Sequence, residues 1–161
     1  MKRYSIFLVA LATMLASCHT NKTYSDIINE FRNERGAEYV SVPKALLKVG
    51  TAMIPKSDAG RIARGINSVR ILSLDDCSQS VKNRFLRRIA NANDDGYEPF
   101  VQTNDRDEQT RVLIRTDEEY VREILIASAD RDDCQIVQVT GKVLLEDVQQ
   151  IVDDNIGKIK K

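Results

Sequence analysis

Tryptophan is absent from this chain, histidine occurs once, and there are only three cysteines and three prolines. The single histidine is His19, beside Cys18 near the N-terminus. The body of the chain therefore cannot assemble a Ser-His-Asp or Cys-His device, and the common His-dependent zinc hydrolase sites are excluded on the same ground. Seven glycines form no phosphate-cradling loop: Gly60 and Gly65 flank Arg-Ile-Ala-Arg without the strand-turn-helix context such a loop needs. Excess charge is also lacking, since 24 Lys+Arg meet 24 Asp+Glu. A nucleic-acid binder would carry a basic surplus, so that class is excluded. Beyond the first residues there is no apolar run long enough to cross a bilayer, and no repeat or low-complexity stretch marks an internal linker.

What the chain does have is a distinctive N-terminus. Lys2 and Arg3 precede an apolar stretch from Ile6 to Ala16, too short to span a membrane and built like a signal peptide. Leu15-Ala16-Ser17-Cys18 closes it in the manner of a bacterial lipobox. The expectation is cleavage before Cys18 and acylation of that cysteine by several chains (palmitate among them), because one acyl chain alone anchors only reversibly. An ordinary secretory signal cut near Ala16, or a short membrane tether, are the competing readings. No acidic residue follows Cys18 in His19-Thr-Asn-Lys-Thr23, which by analogy points to the outer membrane with the domain facing the periplasm. Residues 1–17 are thus read as signal, 18–24 as tether and 25–157 as one domain. Without residues 1–17 the chain has 144 residues, 22 Lys+Arg against 24 Asp+Glu, and a net charge of −2.

Helical spacing predicts helices over Ser25–Arg35, with Ser25 as N-cap, over Lys44–Met53, from Ser57 to about Gly65, over Ser78–Asn93 and from Leu145 to about Asn155. The longest carries an apolar stripe of Val81, Phe85 and Ile89 opposite a basic face of Lys82, Arg84, Arg87 and Arg88. That basic face fits the solvated side of an amphipathic helix better than a contact for anionic headgroups. Glu38–Pro43 reads as a short extended segment. Strands are predicted at Ser68–Leu74, Tyr97–Thr103, Gln109–Arg115, Val121–Ala129 and Cys134–Val143, the last four at hairpin spacing. Together these predict an α+β fold: a mostly antiparallel sheet of about five strands with helices packed on one face, preceded by an N-terminal helical segment. Strands 68–74 and 97–103 are expected to run parallel through a right-handed crossover. Ile124 and Ile126 alternate with Glu123 and Leu125, which implies that the second face of the sheet is partly covered.

That layout brings Asp75, Asp76, Asp105, Asp107, Glu108, Asp130, Asp132 and Asp133 to one end of the sheet, with Cys77 and Cys134. The two cysteines either form a disulfide, worth about 2–4 kcal/mol if unstrained, or remain two buried thiols. The acidic edge, with Asp75, Asp105, Asp107, Asp130 and Asp132 as its cation-site candidates, lacks the spacing of a Ca²⁺ loop and reads better as solvated turns. No spacing singles out a general acid and base, and neither a catalytic residue, a cofactor nor a metal is predicted.

In order along the chain, the lipobox, Glu38-Tyr-Val-Ser-Val-Pro-Lys-Ala-Leu-Leu47, Val69-Arg-Ile-Leu72, Gly96-Tyr-Glu98, Glu123-Ile-Leu-Ile126 and Thr140-Gly-Lys-Val143 resemble the bacteroidete lipoproteins grouped as domain of unknown function 4252. The resemblance covers about Ser25 to Val152. It implies an envelope lipoprotein with no established activity, and a role in envelope stress or its signalling. Where members carry an acidic residue that could cap the last helix, this chain has Leu144, so that cap must come from elsewhere. The reading that follows is a lipid-anchored module that binds another envelope protein or the cell wall. A small-ligand carrier, or a carboxylate-only hydrolase with a cleft at the sheet end, are the alternatives.

Overall fold

The computed structural model describes residues 22–51, 58–104 and 109–148. The lipobox with Cys18, the loop with Asp105 and Asp107, and the end of the expected terminal helix lie outside them. The first helix, α1 (Tyr24–Phe31), opens on a capping box in which Thr23, rather than Ser25, is the N-cap: its side chain accepts from the Asp26 amide and Asp26 accepts in return. The chain then turns through Gly36, at φ +90, where an added Cβ would lie 2.4 Å from the Asp76 carbonyl oxygen. Only glycine allows that approach.

Next come β1 (Glu38–Pro43), α2 (Lys44–Thr51), α3 (Asp58–Gly65), β2 (Ile66–Ser73) and α4 (Gln79–Ala90). Four strands follow: β3 (Glu98–Asn104), β4 (Gln109–Asp117), β5 (Tyr120–Ala129) and β6 (Cys134–Leu144). They form one six-stranded sheet in the order β1-β2-β6-β5-β4-β3, every neighbouring pair antiparallel. The fold is α+β, with one strand more than expected because the extended segment at Glu38–Pro43 joins the sheet as an edge.

The expected crossover is corrected in one respect. Strands β2 and β3 do run in the same direction, but β6, β5 and β4 lie between them. The hairpin block could dock on β2 through either of its outer strands, and Pro99 decides. A proline cannot donate to a second ladder, so β3, bulged beside Pro99, belongs at an edge, while β6 takes the central place. Where β2 begins against β6, Gly65 and Gly141 face each other so closely that a Cβ on either would meet backbone oxygen at 2.6 Å.

Helices α1 and α4 cover one face. Phe31 and Phe85 meet edge to face at 5.4 Å, and Ile27, Ile28 and Ile89 pack with Leu72, Leu125 and Ile136 in a single core. Arg84 and Arg88 of α4 reach Glu34 and Glu30, so part of the basic face is spent on α1 and the loop after it. Lys82 is buried and donates to the Asp132 carbonyl at 2.6 Å. A helical turn at 145–148 follows β6 directly; its first amide, Leu145 N–H, is capped by the Glu119 carbonyl at 2.9 Å. Glu146 and Asp147 add negative charge where the helix dipole favours it.

Candidate functional site

On the covered face, one row of the sheet is polar. Ser68 and Thr140 hydroxyls lie 2.7 Å apart, and Thr140 is registered opposite Glu123. Glu123, 8% exposed, accepts from the Tyr97 hydroxyl at 2.6 Å and from the Gln138 amide, while Arg115 lies 3.6 Å away and over the Tyr97 ring. Gln138, 3% exposed, also accepts from Arg70, which reaches Ser25 of α1 at 2.8 Å. Beside it the Tyr24 hydroxyl donates to Asp94 at 2.6 Å, and Arg111 holds the same carboxylate at 2.9 Å. Burial first, then these carboxylates, push both tyrosine pKa values well above the usual phenol range. The buried carboxylates Glu123 and Asp147 each face an arginine, Arg115 and Arg61, and not one another. This network binds α1 to four strands, and its members come from segments too distant in sequence for spacing to reveal.

The opposite end of β2 and β6 carries the cysteines. Both are buried free thiols: burial raises Cys77 and pushes Cys134 up to about 11. Two of the carboxylates expected there are used by backbone amides. Asp75 accepts from Cys134 N–H at 3.2 Å, and Asp130 from the Asp132 and Asp133 amides at 2.7 and 2.6 Å. The Asp130 contacts are of the Asx-turn type. Among the described residues no group of three or more His, Cys, Asp or Glu could hold a metal.

The other face of the sheet is different in kind. Residues directly opposite on antiparallel strands share a face, and the register lines up Val40, Ile71, Val137, Ile126, Val112 and Val101 in one row across all six strands. The adjacent row is Val42, Val69, Val139, Ile124 and Ile114, ending at Glu98. None of these residues is buried: Val40 is 51% exposed and Ile71 and Ile126 37% each. The row beyond is polar, with Glu38, Ser73, Gln135, Ser128 and Thr110, so the apolar band has a sharp edge. At its β3 end the bulge at Phe100, 47% exposed, lines a cleft of about 310 Å³ with Val112, Ile114, Ile124, Leu145 and Val148. The alternation in β5 had implied this second apolar face; its continuity across six strands needed the register.

The family described as Domain of unknown function (DUF4252) matches residues 31–151, from the end of α1 past the 145–148 turn. The chain belongs to this family. The match takes in every strand of the DUF4252 sheet and thus the apolar band and the strand residues of the polar network, but not Tyr24 and Ser25 of α1. Neither a curated protein nor a solved structure matches the chain. Among the described residues of this DUF4252 protein, no helix is long and apolar enough to cross a membrane.

Proposed function

We propose that this protein is a lipid-anchored envelope module, held at the outer membrane through Cys18 and facing the periplasm, that binds another envelope protein through the open face of its sheet. The observation that carries the reading is the aliphatic band, six strands wide in one row and five in the next, none of whose residues is buried. A sheet face exposed to water usually alternates to polar residues; one that stays apolar on both sides is built to be covered. Contiguous exposed apolar surface of this kind marks interaction sites.

The lipobox supports the location, and a tether makes sense for a protein whose task is to be present at a surface. Lipoprotein character and a place in envelope stress signalling belong to this reading. Crosslinking in cells, followed by affinity capture of the full-length protein, tests it. Wild type is expected to recover one envelope protein specifically, Cys18→Ala to recover less of it, and Ile126→Lys to lose it. Equal recovery by Ile126→Lys overturns the open face as the binding surface, and equal recovery by Cys18→Ala overturns the anchor's part in it.

A further inference from the structure

We infer that the free edge of the sheet at β1 pairs with β1 of a second copy of this chain, antiparallel and centred on Ser41, so that two sheets join into one. The inference does not depend on the envelope partner proposed above.

The two edges of the sheet are built differently. β3 is blunted by Pro99 and the bulge beside it. β1 has neither device: Glu38–Pro43 pairs with β2 without a register shift, no charged residue lies between Glu38 and Lys44, and its proline stands only at the last position. On its outer side β1 has no ladder partner among the described residues. An edge left flat, uncharged and open is a template for another strand. The three most exposed large apolar side chains among the described residues gather there as well. They are Val40 on β1, 51% exposed, and Leu46 and Val49 on α2, which follows β1 directly, at 63% and 68%. Single exposed apolar residues are ordinary, but a group of them at an unpaired edge marks a surface that is covered.

Complementarity selects a second copy as the occupant. A two-fold axis perpendicular to the sheet keeps every side chain on its own face, so even-numbered residues meet even-numbered ones and odd meet odd. With Ser41 opposite Ser41 of the second copy, Val40 meets Val42, Tyr39 meets Pro43, and Glu38 meets Lys44 at both ends of the pairing. Glu38 and Lys44 are exposed, and neither has an ion-pair partner among the described residues. Centring the pair on Val40 instead sets Glu38 against Val42, and centring it on Val42 sets Lys44 against Val40. Only the Ser41 register places charge against opposite charge and valine against valine. It also carries the apolar band across the junction, because Val40 and Val42 are the β1 members of its two rows.

Sedimentation equilibrium of the purified full-length protein reads the association, and wild type is expected to form a concentration-dependent dimer. Glu38→Lys or Lys44→Glu alone turns two attractions per dimer into two repulsions, which should raise the dissociation constant about tenfold. The two substitutions combined should restore most of the loss, since each reversed charge again meets its opposite. A second readout uses a Cys18→Ala background, in which the two remaining cysteines are buried. There, Ser41→Cys exposed to oxidised glutathione should give a disulfide-linked dimer, because directly opposed Cα atoms lie about 4.5–5.5 Å apart, within disulfide reach. Val101→Cys, on the β3 edge, should give none. A wild type that stays monomeric, a double reversal as weak as the single ones, or dimers formed as readily through Val101→Cys as through Ser41→Cys overturns the inference. No second protein is present in these measurements, so a dimer with no protein ever captured keeps the β1 pairing and removes the binding function, and the reverse pattern keeps the function and removes the pairing.

Discussion

Replacing Glu123 with alanine removes the acceptor at the centre of the polar row, and the cost can be worked from its partners. Tyr97 loses a 2.6 Å hydrogen bond to a carboxylate, and the Gln138 amide, on a side chain only 3% exposed, is left with only its long 3.4 Å contact to the Ser25 hydroxyl. Each buried polar group left unpaired costs about 1–3 kcal/mol. Arg115 contributes little, since its side chain is 44% exposed and 3.6 Å away. Against these losses stands the relief of no longer burying a carboxylate, which can offset part of them. The expected net destabilisation is about 2–4 kcal/mol, a large fraction of the roughly 5–15 kcal/mol typical of a domain. Urea unfolding followed by far-UV circular dichroism reads this as a midpoint about 1–2 M lower. Glu123→Gln, which keeps an acceptor, should lose less, and the Glu123→Ala and Tyr97→Phe changes should be less than additive because both break the same bond. A Glu123→Ala protein as stable as wild type, or more so, refutes the reasoning: the carboxylate would then be held at a cost to stability, as a group kept for chemistry is.

Two further expectations follow from the backbone and from titration. Glu118, in the two-residue turn between β4 and β5, has φ +55, so Glu118→Gly should raise the melting temperature by the equivalent of about 0.5–1 kcal/mol; an unchanged or lower value contradicts the strain argument. Tyr24, Tyr97 and Cys134 all have pKa values raised above ordinary values of 10.0, 10.0 and 9.0, chiefly by burial. A raised folded value gives stability that is complete below the ordinary value and lost as pH climbs through the folded one. The urea midpoint should therefore fall between about pH 8 and pH 11, and a flat profile over that range counts against the burial of these groups.

Much of this architecture is legible along the chain because its signals are local. The Val81, Phe85 and Ile89 stripe marks α4, and the turn residues between alternating runs mark the four-strand meander. The edge position of β3 was also written in Pro99, a signal that the expected crossover overrode. What could not be read is whatever depends on partners far apart in sequence. Arg84 and Arg88 look like a solvated face until α1 brings Glu34 and Glu30 to them. Leu144 leaves the last helix without a side-chain cap until the hairpin turn supplies the Glu119 carbonyl. Likewise, Ser25, Arg70, Gln138 and Glu123 are unremarkable polar residues until three strands and a helix converge on them. The candidate site shows the same division. The second apolar face of β5 is visible in its alternation, but the alignment of six strands' faces into one band is a property of register.

We propose that this band is where a partner binds. The most direct test places a photo-crosslinking side chain in living cells at Ile71, on β2 within the band, and separately at Arg87, on the exposed side of α4. A specific envelope protein is expected to be joined to the chain from Ile71 and none from Arg87. The same protein captured from Arg87 with Ile71 silent would contradict it, and would move the binding surface to the helical face.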